Sequence, residues 1–201
     1  MRSIGRFRRL LVAGGAVVLV VAVLLAAVPR SRGQGGEGDG SIVGTWLVTV
    51  DVNTPSGPQP FATELASFNP GGTFADAISI AHSSQNPAYA GPFAPLAVDF
   101  SDALGTWRQA GDDSNQVALT FKRFIYAGAN TPAAAYGSFF PGQNVGTATI
   151  EAIGTLQNGA NGQIVSGPFT FQLTNLQGTV VLKAGGNFSA TRVQILPLAT
   201  P

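Results

Sequence analysis

Apolar and polar residues alternate with a period of two through most of the chain after Gly33, which is typical of β-strands with one buried face. In the run 116–126, the odd-numbered positions carry Val, Leu, Phe, Arg and Ile, and the even-numbered positions are more polar. No ten-residue window after Gly33 shows a helical period. The pattern therefore predicts an all-β fold.

Turns rich in glycine and proline separate the alternating runs. Pro70-Gly71-Gly72 joins the runs 61–69 and 73–81 as a β-hairpin. The other predicted strands are 43–52, 105–109, 116–126, 143–157, 163–175, 179–184 and 187–195, with a turn at Gly185-Gly186 between the last two. Because closure removes exposed strand edges, we expect a single antiparallel up-and-down β-barrel of about eight or nine strands.

Two long connections interrupt the strand pattern, at 82–103 and 132–142. The first contains three prolines and the aromatic residues Tyr89, Phe93 and Phe100. A connection of this length is often functional, so 82–103 is a candidate lid over the barrel mouth. The alternative is a loop whose aromatic side chains seal the core.

The N-terminal segment has the pattern of an export signal or a membrane anchor. A basic stretch, 1–9, precedes an apolar run of 19 residues, 10–28. We assign 1–33 to an apolar helix that is a cleaved signal peptide or an uncleaved anchor, and both alternatives stay open. Arg8-Arg9 leaves twin-arginine export open as well. Residues 34–40 form a Gly-rich linker, so the barrel domain, 41–201, is expected outside the cytoplasm as a secreted, periplasmic or cell-surface domain.

Gly44-Thr45-Trp46 at the start of the first strand, together with Arg192 in the last, resembles the lipocalin or calycin-like β-barrel family. The resemblance implies that Arg192 packs across Trp46 as a structural plug at the barrel base. It also implies a cavity for a small ligand. The helix that lipocalins commonly have after the barrel and their second, Thr-Asp-Tyr-type motif are not found, so the resemblance extends more loosely to allene oxide cyclase and dirigent-type barrels.

Charge and composition exclude several classes of function. From Gln34 onward, five basic and ten acidic residues give a net charge of −5, and no basic stripe is present, which argues against nucleic-acid binding. The chain has no cysteine and one histidine, and it lacks calcium-loop and phosphate-loop motifs. We therefore predict no metal and no cofactor. Membrane contact is expected only through the N-terminal segment, if it is uncleaved.

Charged residues at strand positions are the candidates for chemistry, because a charge inside a barrel must be paired or must contact a polar ligand. Glu64 and Asp76 lie on adjacent arms of one hairpin and can approach each other, which allows acid–base chemistry in the cavity. His82 is a candidate base if Asp76 orients it. The other strand charges are Arg108, Arg123, Glu151 and Arg192.

Three functions remain open. The first is an exported, non-catalytic lipocalin-like barrel that binds a small apolar ligand; it has no assigned catalytic residue. Its candidate ligand-binding residues are Phe74, Ile78, Tyr89, Phe93, Trp107, Phe121 and Arg123. The second is a barrel enzyme of cyclase or isomerase type that uses the cavity carboxylates. The third is a structural surface domain whose barrel is filled by its own side chains.

Overall fold

The structure is a computed structural model, and it describes residues 42–80, 82–85, 89, 91–110, 115–159 and 162–193. The predicted signal or anchor, 1–33, and the linker, 34–40, lie outside the described residues. So does most of the turn predicted at 111–115.

Eight antiparallel strands form a closed barrel in which each strand pairs with the next and the last pairs with the first. The strands are β1 (Gly44–Thr54), β2 (Gly57–Phe68), β3 (Thr73–Ile78), β4 (Val98–Gln109), β5 (Gln116–Ala127), β6 (Asn144–Gly159), β7 (Gly162–Asn175) and β8 (Val180–Arg192). The all-β, up-and-down barrel predicted from the alternation is confirmed. Besides the strands, the described residues form two short 3₁₀ turns, Ser83–Gln85 and Gly91–Leu96, and one helical turn, Ala133–Tyr136.

The strand count is eight because the two strands predicted at 179–184 and 187–195 are one strand, β8. The predicted turn at Gly185-Gly186 is wrong. Both glycines lie inside β8. A Cβ atom on Gly186 would stand 1.8 Å from the Asp51 carbonyl oxygen, and a Cβ atom on Gly185 would stand 2.7 Å from the Phe169 carbonyl oxygen. Because glycine has no side chain, β1 and β7 can approach β8 closely at these two positions. Close approach of a neighbouring backbone explains glycine within a strand, where no turn is needed.

The prediction that β4 begins at Gly105 is also wrong, since β4 begins at Val98 and takes in the end of the predicted loop 82–103. A change of register between Phe100 and Ala103 breaks the alternation there. Ser101 lies at this irregularity, and its hydroxyl accepts a hydrogen bond from the Phe124 backbone N–H at 2.9 Å. Because polar residues lie in this bulge, apolar and polar positions do not alternate there, and the start of β4 cannot be recognised from a period of two.

The hairpin between β2 and β3 is confirmed. Gly71 and Gly72 have φ angles of 88° and 86°, which side-chain-bearing residues rarely adopt. The Asn69 backbone N–H donates to the Thr73 carbonyl at 2.9 Å and closes the turn. This turn lies at the end of the barrel where β1 begins and β8 finishes.

A tryptophan and an arginine close that same end. Trp46 is fully buried and pairs across the strands with Arg192, whose guanidinium lies 4.7 Å from the centre of the indole ring. Trp46 Nε1 donates to the Ile42 carbonyl and Arg192 Nη1 to the Val43 carbonyl, both at 2.8 Å. The contact expected between Arg192 and Trp46 is therefore present, and it fixes the chain that enters β1.

Loops cover the opposite end and are joined to each other by hydrogen bonds. Thr131 Oγ1 donates to the Ala97 carbonyl at 2.6 Å, and Tyr136 Oη donates to the Pro95 carbonyl at 2.7 Å. The Asn130 side-chain amide donates to the Ser84 carbonyl at 2.9 Å. The connections after β3 and after β5 thus form one cover.

We expect Arg192→Lys to lower the free energy of unfolding by about 1–2 kcal/mol, because lysine keeps the charge but loses the planar contact with Trp46 and the fixed hydrogen-bond geometry. Urea denaturation followed by tryptophan fluorescence measures this change. The matched control is Arg108→Lys on the exposed face of β4, which should leave stability nearly unchanged. Equal effects of the two substitutions would contradict this role for Arg192.

Candidate functional site

The barrel interior holds a cavity of about 80 Å³ that is lined mainly by apolar side chains. All eight strands contribute to its wall, and Leu96 adds to it from the cover loop. Its charged lining residues are Glu64 and Arg123. Its other lining residues are Val48, Val50, Phe61, Ala66, Phe68, Phe74, Ile78, Leu96, Phe100, Leu119, Phe121, Ala148, Ile150, Ala152, Val165, Phe169, Phe171, Leu173, Phe188 and Ala190.

Aromatic rings form two parts of this wall. On one side Phe171 stacks against both Phe61 and Phe169, with ring centres 6.2 Å apart in each pair. On the other side Phe74 packs at 4.9 Å from Phe121. Stacked and tilted pairs of this kind stabilise the interior beyond their buried area, so the walls of the cavity are well fixed.

The barrel interior also holds a buried cluster of three charged groups. Arg123 Nη2 lies 3.3 Å from Glu64 Oε1 and also bonds Asp76 Oδ2. The side chains of Asp76, Arg123 and Glu64 are 0%, 2% and 12% exposed. Glu64 and Arg123 line the cavity, whereas Asp76 is not among the lining residues and contacts Arg123.

Strand register makes room for the cluster by surrounding it with alanines. Asp76 pairs across the sheet with Ala66 and Ala103, and Arg123 pairs with Ala103 and Ala148. All three alanines are at most 2% exposed. Small neighbours on every adjacent strand leave space for a guanidinium and a carboxyl group within a packed interior.

Burial raises the pKa of the Asp76 carboxyl from its ordinary value of 3.8 to about 7. The neighbouring charges of Glu64 and, more weakly, Asp102 add to this rise, while Arg123 opposes it. Burial likewise raises the pKa of Glu64, against the lowering effect of Arg123. Since one guanidinium compensates one carboxylate, the second carboxyl group keeps its proton up to about neutral pH.

Part of the hydrogen-bonding capacity of this cluster is unused. Arg123 Nε and Nη1 and Asp76 Oδ1 are buried and have no hydrogen-bond partner among the described residues. The Arg123 guanidinium also lies 5.5 Å from the Phe121 ring centre and 6.0 Å from that of Phe100. These unpartnered atoms have almost no accessible surface, so the protein itself encloses them.

The predicted ligand-binding residues divide into three groups. Phe74, Ile78, Phe121 and Arg123 line the cavity. Tyr89 and Phe93 are half-buried against the core and do not line it, as expected of a loop whose aromatics seal the interior. Trp107 lies at the closed end, where its Nε1 donates to the Asn69 carbonyl at 3.0 Å and its ring meets the edge of Phe68.

Of the charged residues considered for chemistry, the barrel brings Glu64, Asp76 and Arg123 together. Glu151 and Arg108 are exposed on the outer face. The side chain of His82 is 77% exposed, and its Nδ1 lies 3.9 Å from Asp99 Oδ2. The condition for pairing His82 with Asp76, a strand that continues to His82, is not met, because β3 ends at Ile78.

Two kinds of lining residue escaped the sequence pattern. Leu96 lies in a 3₁₀ turn of the cover loop, where no periodicity marks the buried side. The pairing of β2 with β1 shifts at Phe61. Pro60 lies opposite Asp51 and Ala62 lies opposite Val50, so Phe61 is the extra residue of a bulge. Simple alternation places Phe61 outside, and the bulge turns it inward.

Among the residues that the structure describes, no group of three or more His, Cys, Asp or Glu side chains could hold a metal ion. The described helices are also all too short or too polar to cross a membrane. Comparison of the chain with protein-family models, curated proteins and solved structures gives no match in any of the three.

We expect the free energy of unfolding to fall as the pH rises from about 4 to about 7. In this range the folded chain, with the raised pKa of Asp76, binds more protons than the unfolded chain, so raising the pH favours unfolding. Below the range both states are protonated at this carboxyl, and above it both are ionised. Glu64 contributes with the same sign.

Asp76→Asn should flatten this pH dependence, because the amide does not titrate. Urea denaturation of both proteins across the range measures the difference between their slopes. Asp51→Asn, at an exposed position of β1, is the matched control and should retain the slope. A wild-type stability that rises steadily over the same range would contradict the buried cluster.

Proposed function

We propose that this protein is a non-catalytic, lipocalin-like barrel that binds a small, mainly apolar molecule in its interior. The observation that supports the proposal is the cavity itself, which has apolar walls and a single charged cluster. Binding sites for small molecules are typically apolar pockets with a few convergent polar groups. A barrel of eight strands is wide enough for one small ligand.

The cavity volume limits the size of the ligand. A buried water needs only about 10–15 Å³ of such space, whereas an apolar cavity of about 150 Å³ takes a benzene molecule. At about 80 Å³, the interior suits a compact molecule or one short chain. A barrel filled by its own side chains, the structural hypothesis, is less well supported because this space lies at the centre of the interior.

Export completes the proposal. The basic stretch 1–9 and the apolar run 10–28 support passage through a membrane, with the barrel outside the cytoplasm and either released or anchored. The net charge of −5 after Gln34 supports a partner other than nucleic acid. The Trp46–Arg192 contact supports the likeness to calycin-like barrels.

A second candidate function, a barrel enzyme of cyclase or isomerase type, is favoured by one specific observation. Glu64 lines the cavity, and burial raises the pKa of its carboxyl group against the lowering effect of Arg123. Carboxyl groups in such surroundings act as general acids and bases near neutral pH. The two hypotheses differ in outcome, because a carrier releases its ligand chemically unchanged, whereas an enzyme converts it to a product.

We expect the full-length protein, expressed in its parent cell envelope, to carry a small molecule that native mass spectrometry detects at one copy per chain. Ala152→Leu should abolish this adduct, because Ala152 lines the cavity and the larger side chain fills it. The barrel should still unfold cooperatively, at a cost of about 1–3 kcal/mol for overpacking.

The matched control is Ala118→Leu on β5, which adds the same atoms at a position that does not line the cavity. It should keep the adduct. Loss of the adduct in both variants, or its retention in Ala152→Leu, would contradict binding in the interior. Chemical change of the recovered molecule by the wild type, but not by Glu64→Gln, would favour the enzyme.

A further inference from the structure

Glu64 brings an acceptor oxygen to the cavity that the described residues leave unused. Its side chain lines the cavity and is 12% exposed, the largest exposure in the charged cluster. Glu64 Oε1 accepts from Arg123 Nη2 at 3.3 Å, whereas Oε2 has no hydrogen-bond partner among the described residues. Oε2 is also not one of the enclosed polar atoms of the cluster, so a bound molecule can reach it.

We propose that the ligand is a small aliphatic amine that binds as its ammonium ion, with the ammonium group donating a hydrogen bond to Glu64. This inference rests on the proposed function, binding in the cavity, and adds the chemical class of the ligand. The ammonium group supplies a hydrogen-bond donor and a positive charge, and the surroundings of Glu64 are short of both.

The strands beside Glu64 offer it no side-chain donor at the paired positions. Glu64 pairs across the sheet with Val48 of β1 and with Ile78 of β3, and both of these apolar residues line the cavity. An ionised carboxylate can accept about four hydrogen bonds. Because Glu64 receives one bond from Arg123, through a nitrogen that also bonds Asp76, most of this capacity is left for a ligand.

The charge balance of the cluster favours a cation. When both carboxyl groups are ionised, Glu64 and Asp76 carry two negative charges against the one positive charge of Arg123. A net charge in an apolar interior is costly. A bound ammonium ion brings the cluster to neutrality, whereas a carboxylate ligand adds a third negative charge. The net charge of −5 after Gln34 also attracts a cation from solution.

The free protein compensates the second carboxylate with a proton, as the raised pKa of Asp76, about 7, indicates. An ammonium ion can take the place of this proton. A neutral alcohol can donate to Glu64 as well, but it leaves the second negative charge uncompensated. A simple alkylamine stays protonated at these pH values, since the amine of lysine titrates only near about 10.4.

The remaining wall suits the hydrocarbon part of such a ligand. Phe171 stacks against Phe61 and Phe169, and Phe74 packs against Phe121. Aromatic faces pack against hydrocarbon and also attract cations, so they tolerate an ammonium group nearby. The cavity of about 80 Å³ favours a short branched chain.

The test uses purified full-length protein and four probes that share one branched chain: isobutylammonium, isobutanol, isopentane and isovalerate. Isopentane has a methyl group where isobutylammonium has its ammonium group, so these two probes match in shape. Calorimetry at about pH 8, above the pKa of Asp76, measures the affinities. We expect isobutylammonium to bind roughly tenfold or more tightly than isopentane, since hydrogen bonds between charged groups are the stronger ones. Isobutanol should be intermediate and isovalerate weakest.

A matched pair of variants locates the interaction on Glu64. Glu64→Gln keeps the shape of the side chain and removes its charge, so the preference for isobutylammonium should disappear while isopentane still binds. Glu151→Gln makes the same change on the exposed face of β6 and should keep the preference. If Glu64→Gln fails to fold, the wild-type affinities and the ¹³C resonance of Glu64 Cδ decide the question. Isobutylammonium should shift this resonance more than isopentane does.

The affinity for isobutylammonium should fall roughly tenfold or more from about pH 8 to about pH 5. Below the pKa of Asp76, about 7, the cluster holds a proton that the ammonium ion must displace. Asp102, which also acts on Asp76, raises this pKa further and so has the same sign. The affinity for isopentane, which carries no charge, should not change with pH.

The outcomes separate this inference from the proposed function. Equal affinity for isobutylammonium and isopentane, or a preference that survives Glu64→Gln, leaves the cavity as a binding site but overturns the ammonium class. Tightest binding of isobutanol or isovalerate overturns it as well, and so does an affinity for isobutylammonium that is independent of pH. If no probe binds, both the inference and the proposed function fail.

Discussion

Closure of the sheet by pairing of β1 with β8 is the constraint on which the rest of this structure depends. It brings Trp46 opposite Arg192, almost the full length of the barrel chain apart in sequence. It also gives each described strand a neighbour on both sides and encloses an interior whose wall all eight strands share. An open sheet would not enclose the cavity. The charged side chains of the cluster would then stay in contact with water.

The charged cluster is the feature of the interior that stability alone explains least. Replacing a buried ion pair by apolar residues is often neutral or stabilising, so Glu64, Asp76 and Arg123 are weak evidence for a purely structural role. Arg123 and Glu64 line the cavity, while Asp76 contacts Arg123 and does not line it. Alanines on the neighbouring strands give them space that larger apolar residues would fill. This arrangement supports a polar anchor for a bound molecule.

The two ends of the barrel differ in construction. At the closed end, indole and guanidinium groups fill the interior and tie down the incoming chain through the Ile42 and Val43 carbonyls. At the other end, two long connections cover the interior, and hydroxyl and amide side chains bond them to each other. Leu96 reaches the cavity from this cover. Tyr89 and Phe93 of the same segment pack against the core, as expected of a loop that seals it, and the role of a lid stays a prediction.

Alternation by itself determined the fold class and which residues of β3 and β5 share a face, and it allowed Glu64 and Asp76 of one hairpin to lie near each other, because a period of two fixes which side chains share a face. It could not join 179–184 to 187–195, since glycine within a strand and glycine in a turn look the same until the neighbouring strand is known. It placed Phe61 outside and began β4 late, since bulges break the period. Only the tertiary structure decided that Arg123 of β5 meets both carboxyl groups of β2 and β3, because register between strands distant in sequence is set by closure and packing of the whole barrel.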